Sequence, residues 1–188
     1  MKKIITAILI SCLCLALVSC GSETLKGDTA VFTNQDKSFS IELPAEETKD
    51  KDKASWIINE ETSGDILDMT DSAETVRVVV QGMSKAKASR IAADFESYKA
   101  YVTENTFAEL IEGSNMKDAT FDVPEFVKNT SASTYSAKKT EGAMVFMETE
   151  TAYYTYLIVA ADGGYKANDK VLKDSILSLK EIPSEDKE

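Results

Sequence analysis

An α+β fold is predicted, with an antiparallel β-sheet and two α-helices packed on it. Three observations predict it. A cleanly alternating segment opens the globular part at residues 37–44. One long stretch of helical period fills the middle, residues 88–111. A succession of β-branched and aromatic runs with short links then leads to a closing helix over residues 168–180. Consecutive strands joined by tight turns pair antiparallel, and helices of this spacing lie across the sheet they form.

Each element has its own signal. In Lys37-Ser38-Phe39-Ser40-Ile41-Glu42-Leu43-Pro44, Phe39, Ile41 and Leu43 face one way and the polar residues the other. This is a strand with one buried face, ended by Pro44. Residues 45–53 are rich in Glu, Asp and Lys and read as an exposed loop. Strands follow at 54–59, briefly at 64–69, and at 75–81, where β-branched residues dominate. Over 88–111 the apolar residues Ile91, Phe95, Tyr98, Val102, Leu110 and Ile111 lie mostly three or four apart. They mark one face of an amphipathic helix, with Asn105-Thr106 as the point where it would fray. Residues 120–127 read as an extended segment interrupted by Pro124, followed by strands at 131–139, 142–150 and 152–160. Lys139-Thr140-Glu141-Gly142 reads as a hairpin turn with Gly142 at positive φ, and Asp162-Gly163-Gly164 as a further turn. In the closing helix Leu172, Ile176 and Leu179 share a face, and Asn168 is the expected N-cap.

This order resembles the Mog1/PsbP-like fold. The opening strand Phe39-Ser40-Ile41-Glu42-Leu43-Pro44 is similar to that family's first strand. So is the ending, where Tyr154-Thr155-Tyr156-Leu157-Ile158 leads to the helix around Lys170-Val171-Leu172-Lys173-Asp174-Ser175-Ile176-Leu177. The likeness spans residues 36–181. One departure stands out: relatives often carry an aromatic soon after the proline, whereas Trp56 comes much later here. The resemblance implies a mainly non-catalytic domain, as in photosystem II extrinsic subunits, Ran-binding proteins and some bacterial lipoproteins. No metal or partner residue of the family carries over.

The N-terminus reads as an address. Met1-Lys2-Lys3 precedes an apolar run over 4–18, too short to span a bilayer comfortably. Leu17-Val18-Ser19-Cys20-Gly21 resembles a lipobox, in which the chain is cut before the cysteine and the cysteine is lipidated. The resulting divisions are a signal peptide at 1–19, a lipidated Cys20 with a tether to residue 35, one domain over 36–181 and a charged tail at 182–188. The tether is read from the small polar residues of 21–30. A diacylglyceryl group with palmitate-like chains would hold firmly, since two acyl chains anchor stably where one does not. The expected location is the outer, extracytoplasmic face of a membrane.

Composition narrows the chemistry. Removing Lys2 and Lys3 with the leader leaves 19 basic residues against 32 acidic ones, a formal charge of −13. Such a chain is repelled by nucleic acid. There is no histidine, and Cys12 and Cys14 leave with the leader. Triads, Cys-His pairs, His-containing metal sites and disulfides are therefore excluded from the mature domain. No cofactor is expected.

Four constellations remain. Asp65, Asp68 and Asp71 with Glu60 and Glu61 suggest calcium oxygens, but the EF-hand pattern is absent and a solvated acidic edge is the simpler reading. Ser84-x-x-Lys87 has the spacing of penicillin-interacting enzymes without their companion motifs, and reads as a helix start. Glu148 and Glu150 read as hairpin ion-pair partners. Large apolar groups on both faces of the strands around Met144, Phe146, Met147, Tyr153, Tyr154 and Tyr156 mean one of two things. Either both faces are covered, or an apolar surface is open to a ligand or partner. The second option makes Met144, Phe146, Tyr154 and Tyr156 the candidate binding surface. The function expected is a non-catalytic binding or accessory domain, for a protein partner or an apolar small molecule. The alternative is a small cell-wall or glycan hydrolase using carboxylates.

Overall fold

The β-branched and aromatic runs settle into two antiparallel sheets. The structure, a computed structural model, describes residues 25–45, 56–108 and 112–183. The smaller sheet holds β1 (Asp28–Thr33), β2 (Phe39–Ala45) and β10 (Lys180–Glu181), with β2 in the centre. The larger has the order β3-β4-β5-β9-β8-β7-β6. Its first half is β3 (Trp56–Ile58), β4 (Ile66–Asp71) and β5 (Val76–Ser84). Its second half is β6 (Asn115–Ala119), β7 (Asn129–Ser136), β8 (Thr140–Glu148) and β9 (Ala152–Ala161). The helices are α1 (Lys85–Ala88), α2 (Phe95–Thr106), α3 (Gly164–Ala167) and α4 (Asp169–Leu177). The fold is α+β and antiparallel, with far more sheet than helix.

The large sheet is covered on both faces. Val78, Val80, Val145, Tyr156 and Ile158 point to one side, where Phe39 and Ile41 of β2 and Leu172 and Ile176 of α4 close over them. Val79, Met144, Phe146, Tyr153 and Leu157 point to the other, under Phe95, Tyr98 and Val102 of α2. Every residue of β9 is therefore buried. Burying a large apolar side chain contributes about 1.5–3 kcal/mol. Two hydroxyls caught inside are paired: Tyr98 Oη meets Thr155 Oγ1 at 2.9 Å, and Tyr156 Oη meets Ser175 Oγ at 2.7 Å. Burial pushes the Tyr98 phenol up to about 12, so it stays neutral.

Several elements differ from expectation, each for a physical reason. The middle helix begins at Phe95, because Asp94 and Ser97 form a capping box: Ser97 N–H donates to Asp94 Oδ1 at 2.8 Å, and Asp94 N–H to Ser97 Oγ at 3.0 Å. Residues 85–88 form the separate turn α1; Leu110 and Ile111 lie outside the described residues. Residues 120–127 hold no strand. Pro124 and Phe121 are buried there as a cover, while the strand is β6, just upstream. Gly142 sits within β8, not in a turn: a Cβ there would lie 1.9 Å from the Ile158 carbonyl oxygen, so only glycine lets β8 approach β9. Asn168 occupies the N-cap position, but its side chain accepts from Leu25 N–H at 2.6 Å and donates to the Gly164 carbonyl at 2.9 Å. Within the stretch read as tether, β1 starts at Asp28 and pairs with Ser40 to Ala45 of β2. Trp56 returns in space to the first-strand proline, its Nε1–H donating to the Pro44 carbonyl at 2.7 Å. Residues 1–24, with the expected signal peptide and Cys20, and residues 184–188 lie outside the described residues.

The acidic run is a solvated edge only in part: Glu60 and Glu61 are exposed, whereas Asp68 and Asp71 are buried. Asp68 takes two hydrogen bonds from Arg77, at 2.8 and 2.6 Å, with both residues buried. Asp71 accepts from Thr75 N–H at 2.7 Å and Val76 N–H at 2.6 Å, shaping the turn between β4 and β5. Among the described residues no group of three or more acidic side chains gathers as a metal site.

Three outcomes follow from this arrangement. Phe146→Ser and Tyr156→Ser should each cost at least about 3 kcal/mol in urea unfolding, since each empties an opposite core. Arg77→Met should cost roughly 3–5 kcal/mol by stranding Asp68, and adding Asp68→Leu should restore most of it. Glu148 is held below the usual carboxylate range, first by the Lys85 hydrogen bond and then by Asn129. A depressed folded pKa contributes stability above the unfolded value and loses it as pH falls through the folded one. Glu148→Gln should therefore lower the melting temperature at neutral pH, with the gap to wild type closing as pH falls below about 4.

Candidate functional site

The four aromatic-strand candidates do not form a surface. Side chains alternate along a strand, so neighbours in β8 and β9 go to opposite faces. Met144 and Phe146 point under α2, where Phe107 packs on Phe146 at 6.5 Å between ring centroids. Tyr154 and Tyr156 point the other way, under β2 and α4. Their exposures are 3%, 6%, 3% and 0% in the order Met144, Phe146, Tyr154, Tyr156, which excludes an open apolar face. Among the described residues the exposed large apolar side chains, Val31, Ile57, Ile58, Phe126 and Leu177, are spread over four segments of chain. Singly exposed residues of this kind are ordinary.

Tyr154 differs from the other three in one respect. Its ring packs edge-on against Phe39 at 5.6 Å, while its side chain also forms part of the wall of a cleft of about 560 Å³. The cleft lies where β5, β9 and β10 end together. It is lined by Gly82, Ala152 and Tyr154 of the central strands, Thr151 of the hairpin turn, and Glu181, Ile182 and Pro183 at the end of β10. Asp36 and Ser38 from the β1–β2 turn, Asp65 from the approach to β4, and Ser84 and Lys87 at the start of α1 complete it. Gly82 must lack a side chain, because a Cβ would lie 2.7 Å from the Tyr154 ring and 2.8 Å from Phe39.

The polar groups of the cleft are organised. Thr149 Oγ1 lies 2.6 Å from Glu181 Oε1, and Thr151 Oγ1 donates to the same carboxylate at 3.1 Å. The hairpin turn Thr149–Ala152 holds both threonines, closed by Thr149 N–H donating to the Ala152 carbonyl at 2.9 Å. The Tyr154 phenol is raised above its ordinary range, chiefly by burial and then by the Glu181 charge and hydrogen bond. It is therefore a neutral hydroxyl facing a carboxylate. Ser63 Oγ donates to Asp65 Oδ1 at 2.6 Å, and Lys87 Nζ lies 4.0 Å from Asp65 Oδ2.

The Ser84-Lys87 pair lines this cleft but is not arranged as a nucleophile and base. Ser84 Oγ accepts the Lys87 backbone N–H at 3.3 Å as a helix cap, and the Lys87 ammonium turns toward Asp65. Glu148 pairs with Lys85 of α1 at 2.8 Å and accepts from Asn129 across the β7–β8 pair at 2.6 Å, while Glu150 pairs with Lys128, just before β7. Lys85 also stands 5.4 Å from the centre of the Tyr153 ring. Asp36, Gly82, Thr151 and Glu181 had no local sequence signal, because the cleft joins residues from distant parts of the chain.

No family model matches this chain, and no curated protein matches it in sequence. Solved structures do match in shape. Cyanobacterial PsbP (CyanoP) from Synechocystis sp. PCC 6803 superposes with a TM-score of 0.52 at 7% identity, over 87% of this chain and 98% of that one. A protein from Bacteroides thetaiotaomicron gives 0.43 at 11% identity, over 87% of this chain and 51% of that one. Protein PA94 from Pseudomonas aeruginosa, of unknown function, gives 0.44 at 17% identity, over 84% and 100%. At these identities the first match speaks for the fold alone, and the chain has a PsbP-like fold.

Proposed function

We propose that this chain is a non-catalytic binding or accessory domain, held on the outer face of a membrane by lipid on Cys20, with the cleft beside Tyr154 and Glu181 as its contact surface. The observation that carries the reading is the way the cleft's side chains are committed. Glu181 is held by two threonines and lines the cleft beside Tyr154, Ser84 caps a helix, and Lys87 faces Asp65. Such a set presents fixed hydroxyls and carboxylates to a partner. It offers no serine or lysine poised to attack. The cleft sets carboxylates and hydroxyls beside Ala152, Tyr154, Ile182 and Pro183, a mixed lining that suits a partner with polar groups of its own better than a purely apolar molecule.

Thr151 is exposed and at the rim, so Thr151→Trp fills the cleft without entering the core. Crosslinking of the lipidated protein in its native cells, read by mass spectrometry, should enrich one partner over an unrelated lipoprotein. Thr151→Trp should reduce that enrichment to the control level while leaving the melting temperature unchanged. Equal capture by wild type and variant would remove the cleft from the account. Turnover of peptidoglycan or of a glycan by the purified domain, lost in Glu181→Gln, would establish the hydrolase instead.

A further inference from the structure

Strand register fixes the two ends of the domain. In β5 and β9, Ser84 pairs with Ala152 at one end and Val76 with Ala160 at the other. The Val76 end also holds Asp71, Trp56 and Pro44, through the β4–β5 turn, the β3–β4 pairing and the indole hydrogen bond. The start of β1 lies there too, with Asp28 opposite Ala45. Asn168, a few residues past the end of β9, is buried and accepts the Leu25 N–H at 2.6 Å. The chain thus leaves the domain toward Cys20 at the Val76 end. The cleft, with Ser84, Ala152 and Glu181, is at the other. At ~3.3 Å per residue, the length of β9 separates the two by about 30 Å.

Four residues separate Cys20 from Leu25. Fully extended, the stretch from Cys20 to Leu25 reaches at most ~18 Å. A domain standing with its cleft on the lipid would put Leu25 about 30 Å above the surface, beyond that reach.

We infer that the four-residue link between Cys20 and Leu25 keeps the cleft on the side of the domain away from the anchoring membrane, so its ligand arrives from the aqueous side and not from that bilayer. This rests on lipid attachment at Cys20 and on the cleft as the contact surface.

The test uses the lipidated protein in vesicles carrying a headgroup spin-labelled lipid. Once the leader is removed and Cys20 is lipidated, an introduced cysteine is the single free thiol. A fluorophore on Lys166→Cys should be quenched several-fold more than one on Glu150→Cys, next to the cleft. Inserting about twelve Gly/Ser residues after Gly21 should narrow the difference, since the longer linker lets the domain turn over. Equal or reversed quenching on vesicles that carry the protein overturns the inference and leaves the anchor standing. A wild type that fails to float with the vesicles, as Cys20→Ser should, overturns the anchor and the inference together.

Discussion

The structure depends on the complete burial of β9. A central strand that is apolar on both faces cannot be left half open, because each exposed ring would forfeit its transfer free energy. Two separate covers are therefore required, and the chain supplies them from distant places. The capped helix α2 covers one face, and β2 with α4 covers the other. Secondary constraints follow from the same burial. The hydroxyls of Tyr98 and Tyr156 must find partners, and they do in Thr155 and Ser175. Gly142 must remain bare for β8 to lie against β9.

Using the aromatic residues in this way moves the functional question elsewhere. The sheet's faces are occupied, and its edges are short or polar, as in β3 and β6. What stays open is the end of the central strands, where β9 is turned by Thr149–Ala152 and the small sheet finishes at β10. There the cover thins, and Tyr154 passes from core packing at its ring to a polar cleft at its hydroxyl. The same hairpin threonines that close the turn also hold Glu181. Local turn chemistry and cleft chemistry are thus one set of contacts.

Much of the fold was legible because its signals are local. Period-two alternation marks β2, β-branching marks β5, and apolar residues on both faces of β8 and β9 announce two covers. The failures come from competing local chemistry or from long range. Asp94-x-x-Ser97 ends a helix that the apolar spacing alone would extend upstream. Asn115-Met116-Lys117-Asp118-Ala119 forms a strand because β7 lies beside it, not because of its own composition. Gly142 carries the residue type of a turn and the role of a close approach. Asp68 and Asp71 look solvated until Arg77 and Thr75 fold back across the hairpin. The cleft was illegible, since it joins Asp36 to Glu181 through tertiary structure alone.

The most direct measurement of the two-sided core is hydroxyl-radical footprinting of the folded domain, read residue by residue by mass spectrometry. Phe126, 41% exposed, serves as the internal standard for an accessible ring. The account predicts that Phe126 is labelled while Phe146 on one face and Tyr156 on the other are both protected until the domain unfolds. Labelling of Phe146 or Tyr156 at the rate of Phe126 would contradict it, and would return that face of the sheet to the list of binding surfaces.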